Sequence, residues 1–179
     1  MKIVKAFIAA AVCAGAVLAA PASYADDISH PPTALVLVDG TGTFGASFLS
    51  GNNTNTFSDQ YTFSTIGLNF VDTLVGSIAH SALVGLTITD YDLYDSSNNL
   101  IASGVMQSTG LVDLWTIQTG GLPAGNYYVQ VDGVIVSDTS ASYAGNLNVL
   151  PVPEPQTYAM LLAGLGLVAV GARVRAKRA

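Results

Sequence analysis

Three carboxylates that are close to one another in the sequence are the first candidates for chemistry. Asp90, Asp92 and Asp95 are followed by serine and asparagine at positions 96–99, and oxygen ligands of this kind bind Ca²⁺. The spacing does not fit an EF-hand loop, which needs Gly at its sixth position and Glu at its twelfth. Asp and Asn also favour turns. The sequence therefore predicts a solvated hairpin, keeps a weak Ca²⁺ site as the alternative, and indicates no other cofactor.

A further carboxylate, Asp59, lies in a strictly alternating stretch at positions 57–63. A period of two places it on one face of a β-strand together with three aromatic residues, Phe57, Tyr61 and Phe63. A carboxylate on such a face needs partners. It could bind a cation or organise a ligand site, or it could accept backbone N–H bonds from a neighbouring turn. The structural role is favoured, because buried polar groups are usually satisfied locally.

Catalytic patterns are weak elsewhere in the sequence. His30 and His80 are the two histidines, and neither has the spacing of a nucleophile, metal or acid–base site. There is no GxSxG elbow and no phosphate-binding glycine motif. Among eleven aspartates some pair would meet the spacing of glycosidase carboxylates by chance. The sequence therefore predicts a protein that is not an enzyme.

The charge distribution separates the chain into a body and two ends. All six Lys and Arg residues lie at positions 2, 5, 173, 175, 177 and 178. Residues 26–150 contain eleven Asp and no Glu, Lys or Arg, which gives a formal charge of −11. Such a body has no electrostatic basis for binding nucleic acid. Its length suits a single domain with one core.

Short apolar or alternating segments separated by turn residues position these side chains. We expect eight to ten strands and no amphipathic helix, hence an all-β fold with a single β-sandwich or jelly-roll-like domain at residues 26–150. Trp115 is expected to bury a large area, and Asp132-Gly133 is a hairpin signal that would interrupt one segment. The predicted strands are 34–38, 43–49, 57–63, 70–79, 83–89, 87–94, 100–104, 112–119, 127–136 and 143–150.

The N-terminal 25 residues have the pattern of a secretory signal peptide. Two lysines in residues 1–5 precede an apolar run at 6–20, and Ser23-Tyr24-Ala25 supplies small residues for signal peptidase. Cleavage is expected after Ala25, with Ala22 as the alternative. The chain's one cysteine, Cys13, lies in this segment, so the exported body would have no thiol chemistry.

The C-terminal segment, residues 151–179, predicts a membrane anchor. The 18 residues between Glu154 and Arg173 carry no charge, and as a helix they would extend roughly 27 Å, close to the thickness of a bilayer core. We expect a transmembrane helix at 156–172 and a basic tail at 173–179 that stays in the cytoplasm. The basic residues of that tail are Arg173, Arg175, Lys177 and Arg178.

Pro153, Glu154 and Pro155, followed by the apolar span and the Arg-rich end, resemble the PEP-CTERM sorting signal of Gram-negative bacteria. The resemblance implies that an exosortase recognises these three residues and cuts nearby. The precursor would be anchored transiently in the inner membrane, and its body would then reach the cell surface or the medium. The stretch Phe57, Asp59, Tyr61 and Phe63 resembles the FxDxF motif of one subgroup, with Tyr in place of its second Phe.

A second resemblance concerns residues 86–149. The order LYDSSNNLIASG, LPAGNYYVQVDG, YAGNLNV is similar to the pattern of bacterial pre-peptidase C-terminal domains. It implies a β-sandwich accessory or surface module without catalytic residues.

Together these features predict a noncatalytic surface or matrix protein, and the resemblance to PEP-CTERM proteins implies association with extracellular polysaccharide or biofilm. The alternative is a carbohydrate-binding module, and a secreted hydrolase is a third hypothesis. For the binding module, exposed aromatic side chains would stack on sugar rings, whereas burial of all of them would remove the idea. The candidates are Tyr91, Tyr94, Tyr127, Tyr128 and Trp115.

Overall fold

The computed structural model describes residues 25–78, 84–152 and 155–176. The predicted signal peptide, except Ala25, lies outside the described residues. The same is true of His80, Pro153, Glu154, Lys177 and Arg178.

Within the described residues the chain forms ten strands followed by one helix. The strands are β1 (Thr33–Ala34), β2 (Thr41–Phe48), β3 (Thr56–Thr65), β4 (Asn69–Ile78), β5 (Leu86–Asp95), β6 (Leu100–Ser103), β7 (Val105–Ser108), β8 (Val112–Leu122), β9 (Gly125–Ile135) and β10 (Ala141–Pro151), and the helix is α1 (Pro155–Ala176). The prediction of an all-β body is confirmed.

The strands form two five-stranded sheets. Sheet A has the order β1-β3-β9-β5-β6, and sheet B has the order β2-β10-β4-β8-β7. Neighbours pair antiparallel except β1 and β3, which are parallel. Buried side chains alternate with exposed or partly buried ones along β3 and β4, and the buried apolar ones belong to one hydrophobic core. Two sheets that share a core are consistent with the predicted β-sandwich.

One part of the core is rich in aromatic rings. Phe48 contacts Phe57 with 4.6 Å between ring centroids, and Phe57 stacks on Tyr143 at 5.5 Å. Phe44 contacts Tyr61 at 4.7 Å. These rings come from strands of both sheets, and burial of each large apolar side chain contributes roughly 1.5–3 kcal/mol. The aromatic residues therefore join the two sheets.

The polar leader that begins at Asp26 lies along the edge of sheet A. Ile28 donates its N–H to the Thr56 carbonyl at 2.9 Å, and Leu35 donates to Thr62 at 2.8 Å. The strand predicted at 34–38 is wrong in most of its length, because only Thr33–Ala34 pairs as β1. These contacts connect the start of the body to β3.

The hairpin predicted at Asp132-Gly133 is wrong, because β9 continues through both residues between β3 and β5. Packing explains the glycine. A Cβ atom at Gly133 would lie 2.3 Å from the Phe57 ring and 2.7 Å from the Thr87 carbonyl oxygen. Neighbouring groups approach this position so closely that only glycine fits, and such close approach is one reason why glycine occurs inside strands.

Candidate functional site

Asp59 is a buried carboxylate at the centre of β3, and both of its oxygens have protein partners. The His30 backbone N–H donates to Oδ1 at 2.6 Å, and the Tyr143 hydroxyl donates to Oδ2 at 2.5 Å. The His30 ring nitrogen Nδ1 lies 3.2 Å from Oδ2. Phe57, Tyr61 and Asp59 are buried on one face, as the alternation predicts, and Phe63 is buried with them. The backbone bond to the leader is the contact expected for a structural role.

The hydrogen bonds of Asp59 extend across the domain. Tyr143 lies on β10 of sheet B, and its hydroxyl is 2.9 Å from that of Tyr61 on β3. The side chain of His30 is 43% exposed and its ring contacts Phe48. The network of Asp59, His30, Tyr61 and Tyr143 therefore connects the leader, sheet A and sheet B. Sequence analysis did not group these residues, because His30 and Tyr143 lie 29 and 84 positions from Asp59.

Three tyrosines in the core give the domain a predicted sensitivity to alkali. Burial, followed by the hydrogen bond to Asp59, raises the pKa of Tyr143, and burial raises the pKa of Tyr61 and Tyr91 above 10.0. Below pH 10 both folded and unfolded chains keep these protons, so the stabilisation is complete. Between pH 10 and its own raised pKa, each tyrosine ionises mainly in the unfolded chain and lowers the free energy of unfolding by at most about 1.4 kcal/mol per pH unit.

We therefore expect the contribution of these tyrosines to unfolding stability to be constant below pH 10 and to fall above it, with a smaller fall in Tyr143→Phe. Denaturant titrations at successive pH values measure this directly. Tyrosinate formation near pH 10 at these three positions in a chain that remains folded would contradict the expectation.

Asp90, Asp92 and Asp95 do not come together as a metal site. Asp95 accepts bonds from the N–H of Ser97 at 2.8 Å and of Asn99 at 2.9 Å, so the predicted turn at 95–99 is confirmed. Asp90 accepts the Tyr91 N–H at 2.8 Å, and Asp92 accepts the Tyr94 hydroxyl at 3.0 Å. Among the described residues, no group of three His, Cys, Asp or Glu side chains could hold a metal ion.

The five candidate aromatic residues have different environments. Tyr91 and Tyr127 are buried in the core, and Trp115 is partly buried and packs against it. Tyr94 and Tyr128 are partly exposed on neighbouring strands of sheet A, with rings stacked at 5.2 Å and 15°. The candidates therefore do not form one flat row, and two of them form a pair at the surface.

Polar groups surround this tyrosine pair. Tyr128 donates to the Asn98 side-chain oxygen at 3.1 Å, and Gln130 pairs with Asp92 across β5 and β9. Asp92 is 7% exposed, and its Oδ1 has no hydrogen-bond partner. Burial of Tyr94, followed by its hydrogen bond to Asp92, raises the pKa of Tyr94 to about 12. We call Asp92, Tyr94, Asn98, Tyr128 and Gln130 the tyrosine face. It combines aromatic surface with acceptors and an amide, which could contact a polyhydroxylated ligand.

Asp113 is a buried carboxylate that sequence analysis did not select. It accepts the N–H of Gly110 and the hydroxyl of Thr109 at 3.0 Å each, and the N–H of Ile88 at 3.0 Å. These bonds connect the turn before β8 to β5. The spacing of Thr109, Gly110 and Asp113 is a local turn signal that could have identified it.

The last strand leads almost directly into α1. Val152 donates its N–H to Leu68 at 2.9 Å, and the helix begins at Pro155. Arg173 and Arg175 lie in the last turn, where positive charge favours the helix dipole. The helix predicted at 156–172 is confirmed, but the transmembrane span is not: none of the helices described has the length and apolar content needed to cross a membrane.

The chain is thus an all-β protein with a helical C-terminal extension that ends in basic residues. Residues 151–176 match the family model described as a PEP-CTERM protein-sorting motif. This motif suggests an exported protein that an exosortase processes and a precursor anchored in the membrane. The match covers the extension and does not assign the β domain.

The solved structures similar to this chain include two bacterial proteins. The pre-peptidase C-terminal domain of collagenase from Bacillus anthracis is 21% identical, with a TM-score of 0.35, over 70% of this chain and 94% of that one. PliG, a periplasmic inhibitor of g-type lysozyme from Aeromonas hydrophila, is 11% identical, with a TM-score of 0.42, over 69% and 98%. A search of curated proteins found no match.

Proposed function

We propose that this chain is an exported, noncatalytic protein that an exosortase processes and that functions at the cell surface or in the extracellular matrix. The observation that carries the proposal is the sorting motif at residues 151–176, placed where the last strand of the β domain ends. A signal of this kind is useful only to a chain that crosses the inner membrane.

Processing at both ends would release the β domain. Signal peptidase cuts after Ala25, and Asp26 is already in the fold, because its N–H donates to the Asn55 side chain at 3.0 Å. The C-terminal segment tethers the precursor transiently to the inner membrane, with the basic tail in the cytoplasm. Exosortase then cuts near Pro153-Glu154-Pro155.

The chemistry of the described side chains supports a noncatalytic role. The carboxylates of Asp59, Asp95 and Asp113 are occupied by donors from neighbouring segments. The FxDxF-like stretch contributes one of these carboxylates, and its resemblance to the motif, with Tyr61 in place of the second Phe, supports the proposal that the chain belongs to that subgroup. The body's formal charge of −11 suits a hydrated matrix of exopolysaccharide or biofilm.

Production in a Gram-negative host with and without an exosortase tests the proposal. With the enzyme, the β domain should be recovered at the cell surface or in the medium without its tail. Without it, the precursor should stay in the membrane fraction. Equal release in both hosts would refute exosortase processing.

The tyrosine face supports carbohydrate binding as a second candidate function. Its stacked rings present apolar surface to solvent, and the buried Asp92 has an oxygen with no protein partner. A sugar ring would lie against Tyr94 or Tyr128, and its hydroxyls would contact the exposed Asn98 side chain beside them.

Replacing Tyr128 by Ala is expected to weaken binding of the matrix polysaccharide about tenfold, equivalent to about 1.4 kcal/mol, because it removes half of the aromatic pair. Affinity electrophoresis of the folded variants in polysaccharide extracted from the producing cells measures the change. Phe70→Ala on sheet B is the control, since Phe70 is a partly exposed aromatic residue on a different sheet. Equal retardation of both variants and the natural chain would exclude the tyrosine face.

A further inference from the structure

The end of the β domain from which the C-terminal segment leaves has three neighbouring connections. The β3–β4 turn, the β8–β9 connection and the end of β10 are joined because Asn69 pairs with both Leu122 and Pro151. Val152 is bonded to the turn through the Leu68 carbonyl at 2.9 Å. We call residues 66–68, 121–124 and 150–152 the apolar end.

The apolar end exposes hydrophobic side chains where turns normally carry polar ones. Ile66 is 94% exposed at the tip of the β3–β4 turn, Leu68 is 49% exposed, and Leu150 is also exposed. None of the residues of the apolar end is charged, although the body contains eleven aspartates. These side chains lie on connections that the pairing of Asn69 brings together, and grouped exposed apolar side chains favour an interaction site.

The short distance between the apolar end and the C-terminal helix indicates that lipid is the partner of this surface. Only Pro153 and Glu154 lie between Val152 and the start of α1 at Pro155. Three residue steps extend at most roughly 11 Å. A bilayer that holds the start of the helix is therefore within reach of Leu68, to which Val152 is bonded.

We propose that the apolar end lies against the lipid surface in the tethered precursor, with Ile66 in the interfacial layer. This inference rests on the membrane tether of the proposed function. The contact keeps Pro153-Glu154-Pro155 at the level of the lipid headgroups, where a membrane-embedded protease would meet them. Once the tether is cut, so few apolar side chains bind a membrane only weakly, and the domain is released.

The opposite end of the domain offers a matched comparison. Leu49 is 81% exposed and follows β2, whose last residue pairs with Ala141 at the start of β10. β10 has 11 residues, so Leu49 lies about 35 Å from the apolar end. Exposure is similar at the two ends, whereas only the apolar end adjoins the tether.

Single cysteines labelled with a polarity-sensitive fluorophore test the contact. The precursor without its signal peptide, residues 26–179, has no cysteine and is reconstituted into vesicles of phosphatidylethanolamine and phosphatidylglycerol. Ile66→Cys probes the apolar end, Leu49→Cys the opposite end and Leu165→Cys the middle of α1. Blue-shifted emission and quenching by spin-labelled lipid are expected at positions 66 and 165, with water-like emission at position 49.

The other possible results distinguish the lipid contact of the apolar end from the membrane tether itself. Lipid contact at position 165 but not at 66 would overturn the inference and leave the tether intact, with the apolar end free for exosortase or a second copy of the chain. Water-like emission at position 165 would overturn the tether, and the inference with it. Lipid contact at position 49 equal to that at 66 would show that the contact is not specific to the apolar end.

Discussion

Replacing Asp59 by Ala is expected to lower the free energy of unfolding by about 3 kcal/mol. The substitution removes the acceptor for the His30 N–H and the Tyr143 hydroxyl. A hydrogen bond to a charged acceptor contributes about 1.5–3 kcal/mol, and two such bonds are lost here. The loss is a large fraction of the stability of a typical domain, which is about 5–15 kcal/mol. Denaturant unfolding followed by tyrosine fluorescence measures it.

Two comparisons separate the network from simple loss of charge. Asp72→Ala removes an exposed carboxylate from β4 and should change the free energy of unfolding by less than about 0.5 kcal/mol. In a double-mutant cycle, Tyr143→Phe should cost less in the Asp59→Ala background than in the natural chain. Additive effects, or an Asp59→Ala variant as stable as Asp72→Ala, would show that Asp59 does not connect the sheets.

Replacing Pro153, Glu154 and Pro155 together by Ala is expected to abolish release of the β domain, because exosortase would no longer recognise the precursor. Nearly all of the protein should then remain in the inner-membrane fraction with its tail attached. Fractionation followed by immunoblotting with antibodies to the β domain and to an epitope after Ala179 measures this. The packing of the domain should be unchanged, because the described strands end at Pro151.

Thr157→Ala is the control for this change, because it lies within the matched segment but outside the three recognised residues. It should be released like the natural chain. Release of the triple variant at the natural level would exclude Pro153-Glu154-Pro155 as the recognition element.

Local patterns were sufficient to predict most of the strands. The alternation at 57–63 gave β3 and its buried face, since a period of two admits one arrangement on a two-faced sheet. The turn residues at 95–99 gave the hairpin between β5 and β6. β7 was not predicted, because its four residues are exposed at the edge of sheet B and have no buried face.

Features that depend on tertiary contact could not be predicted. Gly133 has the local signature of a turn, but the Phe57 ring and the Thr87 carbonyl determine its role. The partners of Asp59 come from the leader and from the last strand, so that no spacing within one segment identifies them. Tyr94 and Tyr128 lie at the surface, whereas Tyr91 and Tyr127 are buried. This difference could likewise be seen only once the two faces of sheet A were known.

The described residues next to the two predicted cleavage sites are both hydrogen-bonded within the β domain. Asp26 donates to Asn55, and Val152 donates to Leu68. Cleavage after Ala25 and near Pro153-Glu154-Pro155 would therefore remove both terminal segments and leave these hydrogen bonds in place. The domain is built so that processing at its ends does not disturb its core.

Intact-mass spectrometry of the protein from native cells and from their medium tests export and processing most directly. The account predicts that the product at the cell surface or in the medium begins at Asp26 and ends near Pro153-Glu154-Pro155. Recovery of a chain that retains both Met1 and Ala179, dissolved in the cytosol, would contradict it.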